Sequence, residues 1–163
     1  AKAFFDAQVA HIEPILEKEK TGLSVAFFAV ASDGTITVRK PNDYVSSMIE
    51  LAGGTYSLNG YVPEEENALS TLKMQMEDFY AAEKDADILI YNGTIEGELT
   101  SIDELVQKNS LFADFKAVKS GQVYTTGSNF YQQTSGTCDF IEDLNKVLNG
   151  ETDAEYRFLK KIN

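Results

Sequence analysis

Cysteine, histidine and tryptophan are nearly absent from this sequence of 163 residues, which has one Cys, one His and no Trp. The single cysteine, Cys138, excludes an internal disulfide and a zinc site made of several thiolates. The single histidine, His11, excludes a metal site made of several imidazoles. A Cys–His catalytic pair would require Cys138 and His11 to meet across the fold. We therefore expect Cys138 to be a small buried apolar residue and His11 to be a surface or packing residue.

Basic residues are also scarce. The chain has 14 Lys and Arg against 26 Asp and Glu, which gives a formal net charge of −12 at pH 7. A nucleic-acid partner or an anionic lipid surface requires a basic face, so we expect neither. No apolar run approaches the roughly 18 residues of a membrane-spanning helix. The length and the 43% hydrophobic content predict one globular domain with its own core.

Common catalytic sequence patterns are missing as well. No Gly-x-Gly-x-x-Gly follows an expected strand, and there is neither a phosphate loop ending in Gly-Lys-Ser/Thr nor a Gly-x-Ser-x-Gly elbow. Acidic pairs such as Glu65 with Glu66, or Asp85 with Asp87, could hold a hard cation, although acids in turns are more often solvated. We therefore predict that the protein is not an enzyme and has no metal site or cofactor of its own.

Two continuous apolar runs are the strongest structural signals in the sequence. Residues 23–31 (LSVAFFAVA) and 87–91 (DILIY) have the length of strands, and their continuity is typical of strands covered on both faces. Residues 32–38 predict a turn and the second strand of a hairpin. Residues 71–76 alternate as a strand does, and residues 122–125 predict another strand. Because strands alternate with helical segments, we predict an α/β fold with a mainly parallel central sheet and helices on both faces.

The helical segments follow from apolar spacing and from capping residues. An apolar stripe from Phe5 to Leu16 predicts a helix over residues 2–20, with a kink or restart at Pro14. Ser101 and Glu104 resemble a capping box. Further helices are predicted over residues 44–52, 101–108, 111–119, 137–148 and 153–160, and from about residue 77. Irregular segments or loops are predicted at residues 55–63, 94–101 and 127–136.

Polar and aromatic side chains gather in the loops that follow the predicted strands. Ligands of open α/β sheets bind outside the carboxyl ends of the strands, and pockets for organic ligands combine aromatic walls with a few polar groups. The candidate ligand-binding residues are Arg39, Tyr44, Tyr61, Tyr91, Asn92, Thr94, Asn129 and Tyr131. The same tyrosines are equally compatible with a half-buried rim that binds no ligand, and the residues alone leave both interpretations open.

Six short segments resemble, in order and spacing, the C-terminal lobe of the ABC-transporter substrate-binding proteins for siderophores, haem and cobalamin. They are residues 48–54 (MIELAGG), 76–80 (MEDFY), 85–92 (DADILIYN), 102–105 (IDEL), 111–119 (LFADFKAVK) and 121–124 (GQVY). The resemblance implies a three-layer, Rossmann-like lobe at residues 23–163. Residues 1–22 would be the end of the long helix that joins the two lobes in that family. The N-terminal lobe would then lie outside this chain.

The resemblance also implies a function and partners. The protein would be an extracytoplasmic substrate-binding component, in the periplasm or at the cell surface. It would be lipid-anchored outside this chain, and would deliver a metal chelate or corrinoid to an ABC permease. Each family lobe presents a surface carboxylate to arginines of the permease, and Glu77 stands at the matching position, with Glu64, Glu65 and Glu66 as alternatives. In the family a ligand-facing residue after the Ala-Gly-Gly segment is often aromatic, and Tyr61 is its nearest match here. The resemblance also makes Arg39 a candidate to form an ion pair with a carboxylate or phosphate of the ligand.

Two other functions are compatible with an α/β domain of this kind. A flavodoxin-like enzyme or response domain would need a phosphate or acidic site at the end of the first strand, where residues 32–34 supply a single acid, Asp33. A non-catalytic interaction or adhesion domain would use the same fold and bind no small molecule.

Overall fold

The computed structural model describes residues 2–63, 67–130, 136–151 and 154–163. Helices α1 to α7 span Lys2–Leu16, Tyr44–Leu51, Met76–Glu83, Gly93–Glu96, Ile102–Lys108, Lys116–Lys119 and Thr137–Leu148, and a 3-10 turn spans Ser110–Asp114. Strands β1 to β7 span Ser24–Val30, Ile36–Arg39, Thr55–Tyr56, Thr71–Met74, Ile88–Tyr91, Val123–Thr126 and Leu159–Lys161. Within these residues, none of the helices has the length and apolar character that crossing a bilayer requires.

The described strands form one mixed sheet with a parallel centre. Its order is β4-β2-β1-β5-β6-β7, and β3 pairs with the first residues of β1. β1 is parallel to β5, and β5 is parallel to β6. β2 is antiparallel to β1, as the predicted hairpin requires, and also to β4, and β7 is antiparallel to β6. The predicted α/β class, with helices on both faces of a mainly parallel sheet, is confirmed.

Both faces of the sheet are covered, as the continuous apolar strands predicted. Successive side chains of a strand point to opposite faces. The ring of Phe27 lies 6.2 Å from that of Phe130, which lies 4.4 Å from that of Phe140 in α7. The ring of Phe28 lies 4.9 Å from that of Phe79 in α3. Helix α7 therefore covers one face, together with α1 and α2, which pack against it, and α3 covers the other.

The first helix is shorter than predicted. It continues through Pro14 and ends at Leu16, instead of restarting and reaching residue 20. Proline removes one backbone donor and crowds the preceding turn. Pro14 lies in the last turn and does not divide the helix.

The predicted helix over residues 153–160 is wrong. Leu159–Lys161 forms strand β7, which pairs with the outer edge of β6, and pairing with an available sheet edge overrides weak local helix preference. Residues predicted as irregular or as loops also contain short regular elements, β3 and α4. The single helix predicted over residues 111–119 divides at Phe115 into the 3-10 turn and α6.

Candidate functional site

The carboxyl ends of β5 and β6 form the first part of the candidate site. Asn92 follows β5, and its side-chain oxygen caps α4 by accepting hydrogen bonds from the Thr94 N–H at 3.2 Å and hydroxyl at 2.6 Å. The backbone N–H of Asn92 donates to the Phe28 carbonyl of β1 at 2.7 Å. The hydroxyl of Thr126, at the end of β6, accepts a hydrogen bond from the Gly93 N–H at 3.0 Å. The sheet therefore holds the loop after β5 in a fixed position.

Two glycines allow the loops after β5 and β6 to approach each other. A Cβ atom on Gly93 would stand 2.3 Å from the Thr126 carbonyl oxygen, which is closer than real Cβ atoms approach. A Cβ atom on Gly127 would stand 3.1 Å from Asn129 Oδ1 and 3.5 Å from Glu98 Oε1. Glu98 and Asn129 therefore lie close together beside Gly127, and this end of the sheet carries a carboxylate next to an amide.

The exposed part of this end is small and mostly polar. Glu98 and Asn129 are exposed, Thr94 is half-buried, and Ile95 adds an apolar side chain that is 54% exposed. We call these four residues the carboxyl-end rim. Asn92 is only 5% exposed, so it shapes the rim rather than offering a surface to a ligand.

Tyr91 is a core residue, which contradicts its predicted contact with a ligand. Its side chain is 0% exposed, and its ring lies edge-on to Phe28 at 5.7 Å. Its hydroxyl lies 3.4 Å from the Val30 carbonyl, to which it donates, and burial raises the pKa of the phenol. Tyr91 is the residue opposite Phe28 in the parallel pair. It therefore points into the same helix-covered face as Phe28.

Arg39 and Tyr44 belong to a closed group where β2 meets α2. The Arg39 Nε donates to Asp43, the N-cap of α2, at 2.6 Å, and the guanidinium lies 4.9 Å from the ring centre of Tyr44. The Arg39 carbonyl accepts the Tyr56 hydroxyl at 2.6 Å. The Arg39 side chain is 11% exposed and already has a carboxylate partner, Asp43, within this chain, which weakens its predicted pairing with a ligand anion. Tyr44 is 49% exposed and stays a candidate contact.

A groove of about 850 Å³ lies against the edge strand β4 and includes Tyr61. It is lined by residues 61–63, by β4 and by one side of α3 that includes Asp78. Val62 and Leu69 add apolar side chains that are 83% and 66% exposed. This mixture of aromatic, aliphatic and a few polar groups is typical of surfaces that bind organic molecules.

The predicted ligand-binding residues therefore do not share one rim: Tyr61 lines the groove, Thr94 and Asn129 belong to the carboxyl-end rim, and Tyr44 is exposed beside Arg39. Three strand spacings, from β4 through β2 and β1 to β5, separate the groove from the carboxyl-end rim. That separation is roughly 14 Å at about 4.8 Å per spacing. Tyr131 lies outside the described residues, as do the alternative docking acids at positions 64–66.

Glu77, the predicted docking residue, is exposed in the first turn of α3 beside the exposed Asp78. The first turn of a helix carries partial positive charge, so carboxylates are favourable there. The two side chains form a small acidic surface that is accessible to a basic partner.

Among the exposed residues of these surfaces that sequence reasoning missed are Ile95, Glu98 and Leu69. Ile95 and Glu98 lie in a segment predicted as an ordinary loop. The available signal was their position, because both follow the carboxyl end of a buried strand within a few residues. Leu69 precedes β4 by two residues, and an exposed leucine next to a strand gives no comparable signal.

His11, Asp139 and Glu142 bring three potential metal-ligand atoms within 4.8 Å of one another where α1 meets α7. His11 Nε2 lies 2.6 Å from Glu142, and Nδ1 lies 3.9 Å from Asp139. Glu142 also pairs with Lys146 at 2.7 Å, and Asp139 pairs with Arg157 at 2.9 Å. Because each carboxylate already has a cationic partner, this group is an ion-pair network that fastens α1 to α7.

Cys138 is buried, as predicted, and its thiol donates to the Gln8 carbonyl at 3.5 Å. Burial raises the pKa of the thiol, which opposes formation of a nucleophilic thiolate. Both nitrogens of His11 face carboxylates. The described residues therefore hold Cys138 and His11 in separate contacts and not as a catalytic pair.

Comparison with known families gives one clear match. The model of a family described as periplasmic binding protein matches residues 1–130. Comparison with curated protein sequences gives no match.

Solved structures of substrate-binding proteins share the fold. FepB from Veillonella parvula, a TroA-like periplasmic binding protein, is 14% identical, with a TM-score of 0.68 over 99% of this chain. An ABC transporter substrate-binding protein from Listeria monocytogenes is 17% identical, with a TM-score of 0.64 over 91%. PiaA from Streptococcus pneumoniae, solved in complex with ferrichrome, is 20% identical, with a TM-score of 0.63 over 94%. The matches cover 55%, 57% and 54% of those chains, so this chain spans just over half the length of each.

Proposed function

Because this chain belongs to the periplasmic binding protein family, we propose that it is the C-terminal lobe of the substrate-binding component of an ABC importer. The proposed ligand is an organic metal chelate of the siderophore, haem or cobalamin type. The proposed location is extracytoplasmic, with a lipid anchor outside this chain. The observation that carries the proposal is the family match over residues 1–130, which includes β1, β5 and β6 and the loop that follows β5.

The proposed division of the chain assigns residues 1–22 to the end of an interlobe helix and residues 23–163 to the lobe. Helix α1 is fastened to α7 through His11 and Glu142. It also exposes Phe4, Phe5 and Val9, at 56%, 66% and 44%. An exposed apolar stripe on a helix that is already attached to one lobe supports a second packing partner, which the N-terminal lobe would supply.

The chemistry of the two surfaces supports an organic chelate rather than a bare ion. The carboxyl-end rim offers the Asn129 amide, the Thr94 hydroxyl and the apolar Ile95, and the groove offers Tyr61 and Leu69. A bare hard cation would need several converging oxygen ligands. A chelate supplies the metal ligands itself and presents flat or apolar surface, which aromatic and aliphatic side chains bind by stacking and burial.

The proposed mechanism is closure of two rather rigid lobes on the ligand, with α1 as part of the connection. Aromatic stacking and a few hydrogen bonds from this lobe would orient the chelate. The closed protein would then dock on the permease, with Glu77 meeting basic residues of the partner.

A binding panel on this chain tests the ligand proposal. The probes are ferrichrome, haemin and cyanocobalamin, measured by isothermal titration calorimetry. We expect one probe to bind weakly, because one lobe supplies only part of the contacts. Tyr61→Ala should weaken that binding by roughly fivefold, since an aromatic contact is worth on the order of 1 kcal/mol. Asn129→Ala tests the carboxyl-end rim in the same way.

Matched controls are Tyr156→Ala and Asn163→Ala, which change the same residue types outside both surfaces. If none of the probes binds this chain or a two-lobed protein that contains it, the ligand proposal is wrong. If a probe binds and neither Tyr61→Ala nor Asn129→Ala weakens it, the assignment of the site is wrong.

The docking role of Glu77 is tested in the two-lobed protein with its permease. Glu77→Lys should reduce ligand-dependent transport and leave ligand affinity unchanged, because complementary charges guide docking. Asp85→Lys makes the same charge change on an exposed acid beyond the other end of α3 and should have little effect. Loss of ligand affinity in Glu77→Lys would instead assign Glu77 to the pocket.

A further inference from the structure

Glu83, in the last turn of α3, is a buried carboxyl group that the proposed function does not use. Its side chain is 0% exposed, and neither of its oxygens has a hydrogen-bond partner among the described residues. An ionised carboxylate without partners is far less stable in such a place than in water. Burial is the main cause that raises the pKa of Glu83 to about 7.

The Ser57 hydroxyl, which follows β3, makes no hydrogen bond to Glu83 in this arrangement, but it is the nearby polar group that lowers the pKa of Glu83 and partly offsets burial. Its single proton is donated to the Val25 carbonyl of β1 at 2.9 Å. Ser57 can therefore accept a hydrogen bond from a protonated Glu83, but it can donate to an ionised Glu83 only by leaving Val25. Ser57 nevertheless lowers the pKa of Glu83, so burial is what favours the protonated carboxyl group.

The other groups near Glu83 supply no compensating positive charge. The Tyr56 phenol of β3 faces it, and burial together with the charge of Glu83 raises the pKa of Tyr56, so Tyr56 stays neutral. Arg39 and Asp43 also act on Tyr56, and they pair with each other at 2.6 Å. Within the part of the chain that the structure describes, no Lys, Arg or His forms an ion pair with Glu83.

We propose that Glu83 is a proton-binding site that joins the end of α3 to the β3 segment. With the proton bound, Glu83 donates to Ser57 and the junction stays closed. When the proton leaves, the carboxylate has no partner, and the end of α3 separates from residues 56–61 to admit water. The junction connects the helix that carries Glu77 with the segment that carries Tyr61. If the proposed function holds, loss of the proton alters the docking surface at Glu77 and the groove at Tyr61 together.

The direction of the pH effect follows from the number of bound protons. The ordinary pKa of Glu is 4.5, and that of Glu83 in the folded protein is about 7. Between these values the folded protein binds more protons than the unfolded chain, so stability falls as the pH rises. The contribution of Glu83 is complete below about pH 4.5 and is lost as the pH rises through about 7. Local opening should increase by up to about tenfold per pH unit in this window.

Hydrogen exchange of this chain between about pH 5 and pH 8, corrected for the intrinsic pH dependence of exchange, tests the proposal. Opening of residues 78–86 and 55–61 should increase with pH in the wild-type protein, whereas residues 137–148 should change little. Glu83→Gln should flatten the profile, because its neutral amide can still donate to Ser57. Glu96→Gln, the same change at an exposed site, should keep the wild-type profile. A flat wild-type profile, or an equal slope in Glu83→Gln, would overturn the proposal.

Carbon-13 NMR of the side-chain carboxyl groups of the wild-type protein provides a test that does not depend on folding of Glu83→Gln. A titration midpoint for Glu83 near pH 7 supports the proton site, and a midpoint near the ordinary value of 4.5 contradicts it. Neither experiment uses a ligand. Failure here therefore leaves the proposed ligand and docking roles standing, and failure of the binding panel leaves the proton site standing.

Discussion

On one face of the central sheet, Phe28 packs against Phe79 and Phe112, which both contact Phe115. On the other face, α7 adds buried polar side chains to its apolar packing. The ring of Phe112 lies 5.5 Å from Phe28, 6.3 Å from Phe79 and 5.2 Å from Phe115. All four side chains are 0% exposed. Because none of them has a polar atom, this face is held by the volume and shape of its rings.

The α7 face also packs aromatic rings, those of Phe27, Phe130 and Phe140, and adds directed hydrogen bonds to that packing. The carboxylate of Asp143, which is 2% exposed, accepts bonds from the backbone N–H groups of Arg157, Phe158 and Leu159 at 2.9, 2.7 and 3.2 Å. These bonds fasten the start of β7 to α7. A face held by packing tolerates an apolar replacement of similar volume, whereas a face held by such bonds is weakened by the loss of one acceptor. The comparison therefore predicts different responses to substitution.

Phe112→Ala should produce the largest loss of stability. It removes a fully buried ring from the aromatic face, and large-to-small changes of this kind cost about 3–5 kcal/mol. Urea unfolding of the variant and of the wild-type protein measures the difference. Phe112→Leu keeps much of the volume and should cost less than half as much. Equal losses in the two variants would show that packing volume is not what holds this face.

Asp143→Ala should cost less in total stability and act more locally. It leaves three backbone N–H groups without their acceptor, and we expect a loss of about 2–3 kcal/mol. Hydrogen exchange should show early loss of protection at residues 157–162, while Phe112→Ala should lower protection throughout the core. Asp143→Asn keeps one acceptor oxygen and should give an intermediate result. Loss of protection spread evenly over the chain in Asp143→Ala would contradict the local role.

The aromatic face was accessible to prediction, and the polar face was not. The run that contains Phe28 identified a doubly covered strand, and the bounds of α7 matched the apolar spacing. Asp143, however, occupies a position that a helical pattern assigns to solvent. Its partners lie 14 to 16 residues further along the chain, where the local sequence predicted a helix. Periodicity reports which side chains are apolar, but it does not report which polar groups find distant donors.

Local sequence patterns also predicted only part of the candidate site. The rule that ligands bind beyond strand ends selected Thr94 and Asn129, which the structure places at an exposed rim. It also selected Tyr91, the last residue of β5, which is buried. The face that Tyr91 occupies is set by its register opposite Phe28, and a register between strands about 60 residues apart is not contained in either strand. Glu83 was overlooked because an acid at a helix end normally indicates solvent.

Asn145→Ala should have the smallest of the three effects and gives the sharpest test of the comparison. The Asn145 amide donates to the Ala52 carbonyl at 2.9 Å and accepts from Lys18 Nζ at 2.8 Å, so its removal leaves one buried carbonyl without a donor. We expect a loss of about 1–2 kcal/mol in urea unfolding. Asn149→Ala, which removes a hydrogen bond within the same helix end, should cost less.

Combining Asn145→Ala with Phe112→Ala then asks whether the two faces are independent. Residues on opposite sides of the sheet share no partners, so the two losses should add to within about 0.5 kcal/mol. A larger deviation would show that the sheet transmits strain between its faces. The aromatic layer and the polar anchors would then form one cooperative unit, because a change in the packing around Phe28 would alter the position of α7.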